Sequence, residues 1–305
     1  MREARVIVPP MAKKNGKPTI GFIGQGYVGK NYGDDFERRG FRVVRYSLEK
    51  QYIHNKNKIK ECDIVFVAVW TPTTPKGFDP SIVESVLHLI HPGTLVVLKS
   101  TIVPGTTIRL QKKFPKLTIM YSPEFLSVGT AADDARHPFS NIIGIPKNDA
   151  RHRAAAKRVL SILPKAPFTS VVTSTEAEII KYSHNMSGYT QIMIFNMLYE
   201  VATKLGGSWD VVHKALLADP YICNRYSQPL HKGGRGAGGG CFIKDFAAFR
   251  MLYKKALPQN KESLDALMAL EKKNIQLLTS TYKDLELLSG VYGADVVKRA
   301  RKKTR

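Results

Sequence analysis

Cysteine is scarce in this chain. Cys62, Cys223 and Cys241 are its three cysteines and none forms a CxxC pair, which argues against a disulfide framework and against a structural zinc site. No metal centre is expected, and a reducing cytoplasm is the simplest compartment. Long apolar runs are also missing: none reaches the roughly 18 residues that a membrane span needs. The short patch Val6-Ile7-Val8 is cut off by Pro9-Pro10, so residues 1–17 read as an extension, not a signal peptide. Acids are few, with 25 Asp and Glu against 47 Lys and Arg, for a net charge of +22 over 305 residues. Such a field draws in phosphates, nucleotides, nucleic acid or anionic surfaces and says nothing about fold. There is no interleaved aromatic stacking platform and no helix-turn-helix pattern. A nucleic-acid or anion-binding role therefore rests on charge alone. There is no internal repeat or long low-complexity stretch, and the segment from Lys298 to Arg305 reads as a solvated basic tail.

What is present alternates. The apolar run Thr19–Ile23 ends in Gly24-Gln25-Gly26-Tyr27-Val28-Gly29, a GxGxxG placed directly after an expected strand. An amphipathic helix to Arg39 and a strand over Phe41–Tyr46 follow. In that context the glycines permit a tight turn, close approach of a pyrophosphate and close helix–strand packing. Further strands are expected over Cys62–Val69, Thr94–Leu98, Thr118–Tyr121 and Asn141–Gly144, with a helix over Ser81–Ile90. Strands alternating with helices point to an α/β fold, a Rossmann-type doubly wound parallel sheet whose ligands bind beyond the carboxyl ends of its strands. The polar segments just past those ends (Trp70–Thr73, Ser100-Thr101 and Ser122–Leu126) are candidate site walls. The turn residues Gly24, Gly26, Tyr27, Val28 and Gly29, with Ser47, Thr71 and Thr101, are the cofactor-binding candidates. Ser47 stands where an acid usually holds the adenosine ribose. Arg45 and Lys50 flank it, so NADP stays open beside NAD.

The second half reads as helical. Thr175–Leu205 is a long run of helix formers with Glu176 and Glu178 in its first turn. Lys181 and Asn185 lie four apart, hence on one face, where a lysine and an amide can steady an oxyanion. Short and long helices are expected over Asp210–Ala218 and Lys261–Leu288, the long one suited to packing across a dimer axis. Between them lies Gly238-Gly239-Gly240-Cys241-Phe242-Ile243-Lys244-Asp245. A cysteine opening a helix faces the positive end of the macrodipole, and Asp245 at i+4 shares its face. That pattern suits a covalent nucleophile with a carboxylate nearby to manage protons. The plainer reading is a glycine loop followed by a buried cysteine.

Six segments together carry a resemblance: GFIGQGYVG (21–29), TPTTPKGFD (71–79), KSTIVPGTT (99–107), SPEFLSVGTA (122–131), EAEIIKYSHN (176–185) and GAGGGCFIKD (236–245). In order and spacing the chain resembles the UDP-glucose/GDP-mannose dehydrogenases. The resemblance implies NAD(P)-dependent oxidation of a nucleotide-sugar 6-hydroxyl to the carboxylate. Cys241 matches the nucleophile that captures the aldehyde, and Lys181 and Asn185 match the oxyanion-stabilising pair. Asp245 matches the carboxylate that handles water, and Thr101 and Glu124 the other polar groups near the reacting carbon. Phe125, Leu126, Gly238 and Gly239 belong to matching substrate segments, Lys244 to the cofactor side, and Arg225 matches the arginine that reaches a substrate in a neighbouring subunit. A homodimer through the helical domain is implied.

The expected layout is an extension (1–17), a Rossmann domain (18–172), a helical catalytic and dimerisation domain (173–288) and a basic tail (289–305). Several positions depart from the family pattern: Val128 replaces an acid, Gly240 a small hydroxyl residue, Ala237 an aromatic and Ser47 an acid. Members usually continue into a further nucleotide-sugar-binding domain, so either a partner chain supplies it or the substrate is smaller. Two other readings remain: a two-electron hydroxyacid or alcohol dehydrogenase, which needs Lys181 and Asn185 but no nucleophilic cysteine, and a non-catalytic anion-binding relative.

Overall fold

A computed structural model describes residues 16–303. All but the last two residues of the expected N-terminal extension, and the final two residues of the basic tail, lie outside the described residues. In chain order the first elements are β1 (Ile20–Ile23), α1 (Tyr27–Arg38), β2 (Val43–Tyr46), β3 (Ile64–Val67), β4 (Thr73–Thr74), β5 (Gly77–Phe78) and α2 (Ser81–Leu87). Then come β6 (Leu95–Leu98), α3 (Thr106–Lys113), β7 (Thr118–Tyr121), α4 (Ala131–Arg136), β8 (Ser140–Ile145), α5 (Ala150–Leu160) and β9 (Phe168–Thr173). The remainder is helical: α6 (Ser174–Lys204), α7 (Trp209–Ala218), α8 (Gly239–Ala256), α9 (Lys261–Ser280), α10 (Leu285–Tyr292) and α11 (Ala294–Lys303). Two compact units result, one from residues 1–71 and 80–181, the other from 72–79 and 182–305. Their division falls inside α6 and assigns the β4–β5 hairpin to the helical unit.

The first unit is a seven-stranded sheet in the order β2-β1-β3-β6-β7-β8-β9. Strands β1, β3, β6 and β7 are buried at every residue, which is why each reads as an unbroken apolar run rather than an alternation. Phe22 of β1 stands opposite Phe66 of β3, and their rings stack at 5.0 Å. Phe36 of α1 tilts onto both, and each buried ring contributes about 2 kcal/mol. From β1 the chain crosses to β2 on one side and later to β3 on the other. The glycine turn after β1 therefore sits at the switch point where such sheets bind ligands.

Two features depart from the sequence expectation. β8 joins β7 antiparallel, so the sheet is mixed. β9, parallel to β8, lies outside the sequence expectation, because it has only three apolar residues, no long apolar run, and is mostly exposed.

In the second unit Tyr189 of α6 stacks on Phe246 of α8 at 3.9 Å between centroids, and Ile243, Ala247, Leu278, Leu288 and Val291 form a second cluster. The long helix expected over Lys261–Leu288 is in fact two. It stops at Ser280, and Tyr282 and Asp284 take positive φ (57° and 51°) before α10 begins. The expected basic tail carries a helix: the α11 backbone runs to Lys303, and Val296 and Val297 pack on the Leu288–Val291 cluster.

Candidate functional site

The sheet unit contributes a dinucleotide cradle and a buried ion pair. Gly24 takes φ 91°, and a Cβ there would overlap the Ala68 carbonyl. A Cβ on Gly29 would overlap the Gly24 carbonyl, while one on Gly26 would meet nothing within 4 Å. The turn is thus closed against the protein and open above Gly26. No side chain caps α1 at Gly26, and its first turn holds no acid, so the positive end of the helix dipole favours an anion there. These residues fit a dinucleotide pyrophosphate. Tyr27 is 39% exposed at the helix start, and Val28 packs into the sheet core.

At the end of β2, Ser47 is half-buried and its Oγ accepts from the Glu49 N–H at 3.2 Å. Arg45 does not face a ribose phosphate. Its guanidinium is buried along α1, bridged to Asp34 and Glu37 at 2.8 Å each, and Gly33 leaves the room for it. Burial opposes that charge, but the hydrogen bonds it donates to both carboxylates outweigh it and raise the guanidinium's already high pKa. The sequence feature that kept NADP open is therefore committed to internal structure.

Beyond the other strand ends, the buried Thr71 hydroxyl donates to the Thr101 carbonyl at 2.7 Å, leaving the half-buried Thr101 side chain to other partners. Glu124 and Lys181 form a buried pair: Lys181 Nζ lies 2.9 Å from Glu124 Oε1 and donates to the Glu124 carbonyl at 2.7 Å. Burial pushes the Glu124 carboxyl up, but the Lys181 charge and hydrogen bond, the Leu126 N–H and the Lys99 charge hold it below the usual range. It is ionised at neutral pH. Phe125 lies between partners: its ring tilts on Phe139 at 5.0 Å and sits 5.6 Å from Lys181 Nζ.

Two buried groups here were not singled out from the sequence. Lys99, 4% exposed at the end of β6, donates to Ser122 Oγ at 3.0 Å and lies 4.3 Å from the Tyr32 ring centroid. Burial, and to a lesser degree the Lys181 charge, push its pKa down to about 8 against the pull of Glu124. Glu178, one turn before Lys181, accepts from Gly105 N–H, Thr107 N–H and Thr107 Oγ1 at 2.6–2.8 Å. It ties the start of α6 to the start of α3, and burial still raises its carboxyl despite these bonds. The only sequence signal for either was a charge next to an apolar run.

The helical unit contributes the second cluster. Asn185 Nδ2 donates to Asp245 Oδ2 at 2.7 Å. Lys244 Nζ binds the other oxygen of the same carboxylate. All three side chains are buried, Asp245 to 1% exposure. Cys241 stands exposed in the first turn of α8, where the helix dipole favours a thiolate. The other cysteines differ. Cys62 is buried, and that burial drives its thiol up to about 12, whereas Cys223 is exposed but precedes only a three-residue 3-10 turn. Arg225 in that turn is exposed, 5.9 Å from the Tyr226 ring. Gly238 lies against the Asp284 carboxylate, and Gly239 is exposed with φ 76°. Among the described residues no cluster of His, Cys, Asp and Glu could hold a metal ion, and no helix is long and apolar enough to cross a membrane.

Comparison with known proteins gives these arrangements a setting. A UDP-glucose 6-dehydrogenase of Rickettsia conorii is 28% identical over 280 residues, 82% of this chain and 62% of that one. The chain thus spans about six tenths of that relative's length. The UDP-glucose dehydrogenase structure from Pyrobaculum islandicum matches with a TM-score of 0.72 at 22% identity, covering 95% of this chain and 81% of that one. A 3-hydroxyisobutyrate dehydrogenase from Mycobacterium tuberculosis matches with a TM-score of 0.63 at 16% identity, covering 93% and 99%. At those identities the structures speak for the fold alone: a Rossmann-type sheet followed by helices. Family models go further. Residues 45–162 match the UDP-glucose/GDP-mannose dehydrogenase family, NAD binding domain, which makes NAD the cofactor and agrees with the internal commitment of Arg45. Residues 175–274, which carry Lys181, Asn185, Cys241 and Asp245, match the central domain of the same family. With well over half of its length matched by the two, the chain belongs to the UDP-glucose/GDP-mannose dehydrogenase family.

Proposed function

We propose that the protein oxidises the 6-hydroxyl of a nucleotide sugar to the carboxylate in two steps, with Cys241 as the covalent nucleophile. The observation that carries this reading is the contrast among the three cysteines. Cys62 is buried and Cys223 has no helix of length behind it, whereas Cys241 is exposed at the start of an 18-residue helix with Asp245 one turn on. The glycine cradle at Gly24–Gly29 would hold NAD, which when bound would supply the two-electron acceptor for each oxidation.

The roles of the chain's own residues follow from their chemistry. The aldehyde formed first is attacked by the Cys241 thiolate, making a C–S bond and a tetrahedral oxyanion. Lys181 and Asn185, donors on one helix, stabilise that oxyanion. Oxidation of the thiohemiacetal leaves a thioester, and water cleaves the C–S bond to release the carboxylate and return the thiol. Glu124, ionised through Lys181, and Asp245, held by Asn185 and Lys244, are the carboxylates that orient water and move its proton. Thr101 and Phe125 line the same strand-end segments, and Arg225 serves a substrate held by a second copy. A homodimer is supported by the exposed stripe Ile194, Leu198 and Val201 on α6, with Leu205 just past its end, 46–80% exposed, which a second copy would cover.

Stoichiometry tests the reading. With UDP-glucose, UDP-N-acetyl sugars and GDP-mannose offered in turn, two NADH per sugar are expected with at least one of them. Cys241→Ser is expected to stop short of the acid. One NADH per substrate, or unchanged acid formation by Cys241→Ser, would replace this reading with a two-electron dehydrogenase.

A further inference from the structure

The segment that leads into α8 is held, backbone atom by backbone atom, by residues that come later in the helical unit. Arg235 N–H donates to Thr281 Oγ1 at 3.0 Å. Lys283 Nζ donates to the Gly236 carbonyl at 2.9 Å. Asn274, itself 2% exposed, accepts from Ala237 N–H at 2.7 Å and donates to its carbonyl at 3.0 Å. Last in the series, Gly239 N–H, at the first residue of α8, donates to Asp284 Oδ2 at 2.8 Å. The turn that supplies three of these partners contains two of the three non-glycine residues with positive φ among the described residues, Tyr282 and Asp284. Such backbone persists where the surroundings over-determine it, and it gathers at functional sites. Gly238 belongs to the same device, since a Cβ there would overlap Asp284 Oδ2.

We propose that Asp284 is a positioning residue for Cys241. The inference rests on the reading of Cys241 as nucleophile. Asp284 acts in two ways on a helix start that has no cap of its own. Its carboxylate takes the first N–H of α8 in a charge-assisted bond. That fixes the turn in which Cys241 is the third residue. Its negative charge also offsets part of the positive helix end, so the thiol is held in place at some cost in thiolate character. Lys283 and Asn274 hold the segment just before it, so the position of Cys241 depends on a turn some forty residues later in the chain.

The test uses the full chain, without substrate, so that it stands apart from the activity reading. Asp284→Ala removes bond and charge, while Asp284→Asn keeps an acceptor and removes only charge. Two readouts are taken at pH 7: amide hydrogen exchange over residues 236–244, and iodoacetamide alkylation of Cys241 with exposed Cys223 as internal control, both by mass spectrometry. Asp284→Ala is expected to speed exchange at Gly239–Cys241 at least about tenfold, the usual response when a helix start loses its anchor. Asp284→Asn is expected to keep exchange near wild type and to raise Cys241 alkylation about twofold relative to Cys223, the scale set by one charge at a helix end and the lower nucleophilicity of a more acidic thiol. Wild-type exchange and alkylation in both variants, or changes at Cys223 as large as those at Cys241, would overturn the proposal. If Asp284→Ala does not fold, the Asn variant alone decides: an unchanged Cys241-to-Cys223 ratio rejects the electrostatic role. Failure of the activity reading would instead appear as absent turnover with the Asp284 effects intact.

Discussion

In the sheet unit the polar groups stand just past strands buried at every residue, and their partners come from neighbouring strand-end loops and the start of α6. In the helical unit they stand on helix faces, and the segment bearing the cysteine is held by a turn between two later helices. The sheet therefore fixes its site through local backbone: the glycine cradle closes on Gly24 and Ala68 carbonyls that β1 and β3 place side by side. The helical unit fixes its site through tertiary hydrogen bonds such as Asn274 to Ala237 and Asp284 to Gly239. A site of the first kind tolerates almost no added atoms. One of the second kind loosens by degrees.

Gly29→Ala should break that comparison most sharply. Its Cβ would meet the Gly24 carbonyl, backbone against backbone, with no side chain able to swing away. A cost of about 3 kcal/mol in unfolding free energy is expected, with NAD affinity lowered more than tenfold in calorimetry. Gly26→Ala, where nothing lies within 4 Å, should leave the thermal midpoint near wild type and weaken only NAD binding. Equal stability of the two variants would mean the cradle is not closed as described.

Glu124→Gln comes next, through the buried pair. It leaves Lys181 charged and buried without its counter-ion, for which a loss of about 3 kcal/mol is typical. Asn185→Leu in the helical unit removes one donor from Asp245, while Lys244 still binds the carboxylate, so about 1–2 kcal/mol is expected. The Glu124 term also carries a pH signature. Its folded carboxyl lies below its ordinary value of 4.5, so its contribution is present above that pH and fades as pH falls through the folded value. The gap between wild type and Glu124→Gln in denaturant unfolding should therefore narrow on acidification below about pH 4.5. A gap that widened there would reverse the assignment.

The sequence made the local devices legible. GxGxxG after a strand, Lys181 and Asn185 at i,i+4, and a cysteine with an aspartate one turn later all depend on residues close in the chain. What it hid depends on residues far apart. Nothing near Asp284 signals that it caps a helix begun forty-five residues earlier. The break at Thr281–Asp284 has no glycine or proline to announce it, so the heptad-like run from Lys261 reads as one helix. β9 escaped because it is mostly exposed and lacks a long apolar run. Arg45 misled because a cation beside the ribose position reads as a phosphate ligand, until the carboxylates of α1 are seen to hold it.

Lys99 is the mildest case and the one in which function and stability pull apart. At the end of an apolar strand a lysine reads as solvent-facing, yet it is 4% exposed and its pKa is driven from 10.5 to about 8. At pH 7 the folded protein keeps it charged, at a cost of about 3 kcal/mol for that shift. Replacing it with methionine removes this cost and leaves the Ser122 hydroxyl without its donor, which returns about 1 kcal/mol or more. Lys99→Met is therefore expected to stabilise the protein by about 1–2 kcal/mol at pH 7. Because the folded pKa lies below the unfolded one, the wild type gains stability as pH rises from about 8 to 10.5, and the advantage of the variant should disappear across that window. Turnover should fall over the same substitution, since Lys99 adds positive charge felt by Lys181, one of the two donors proposed to face the oxyanion. A variant both more stable and equally active would show that the buried charge serves neither purpose; a more stable and slower one would show that the sheet unit retains a destabilising lysine for its field.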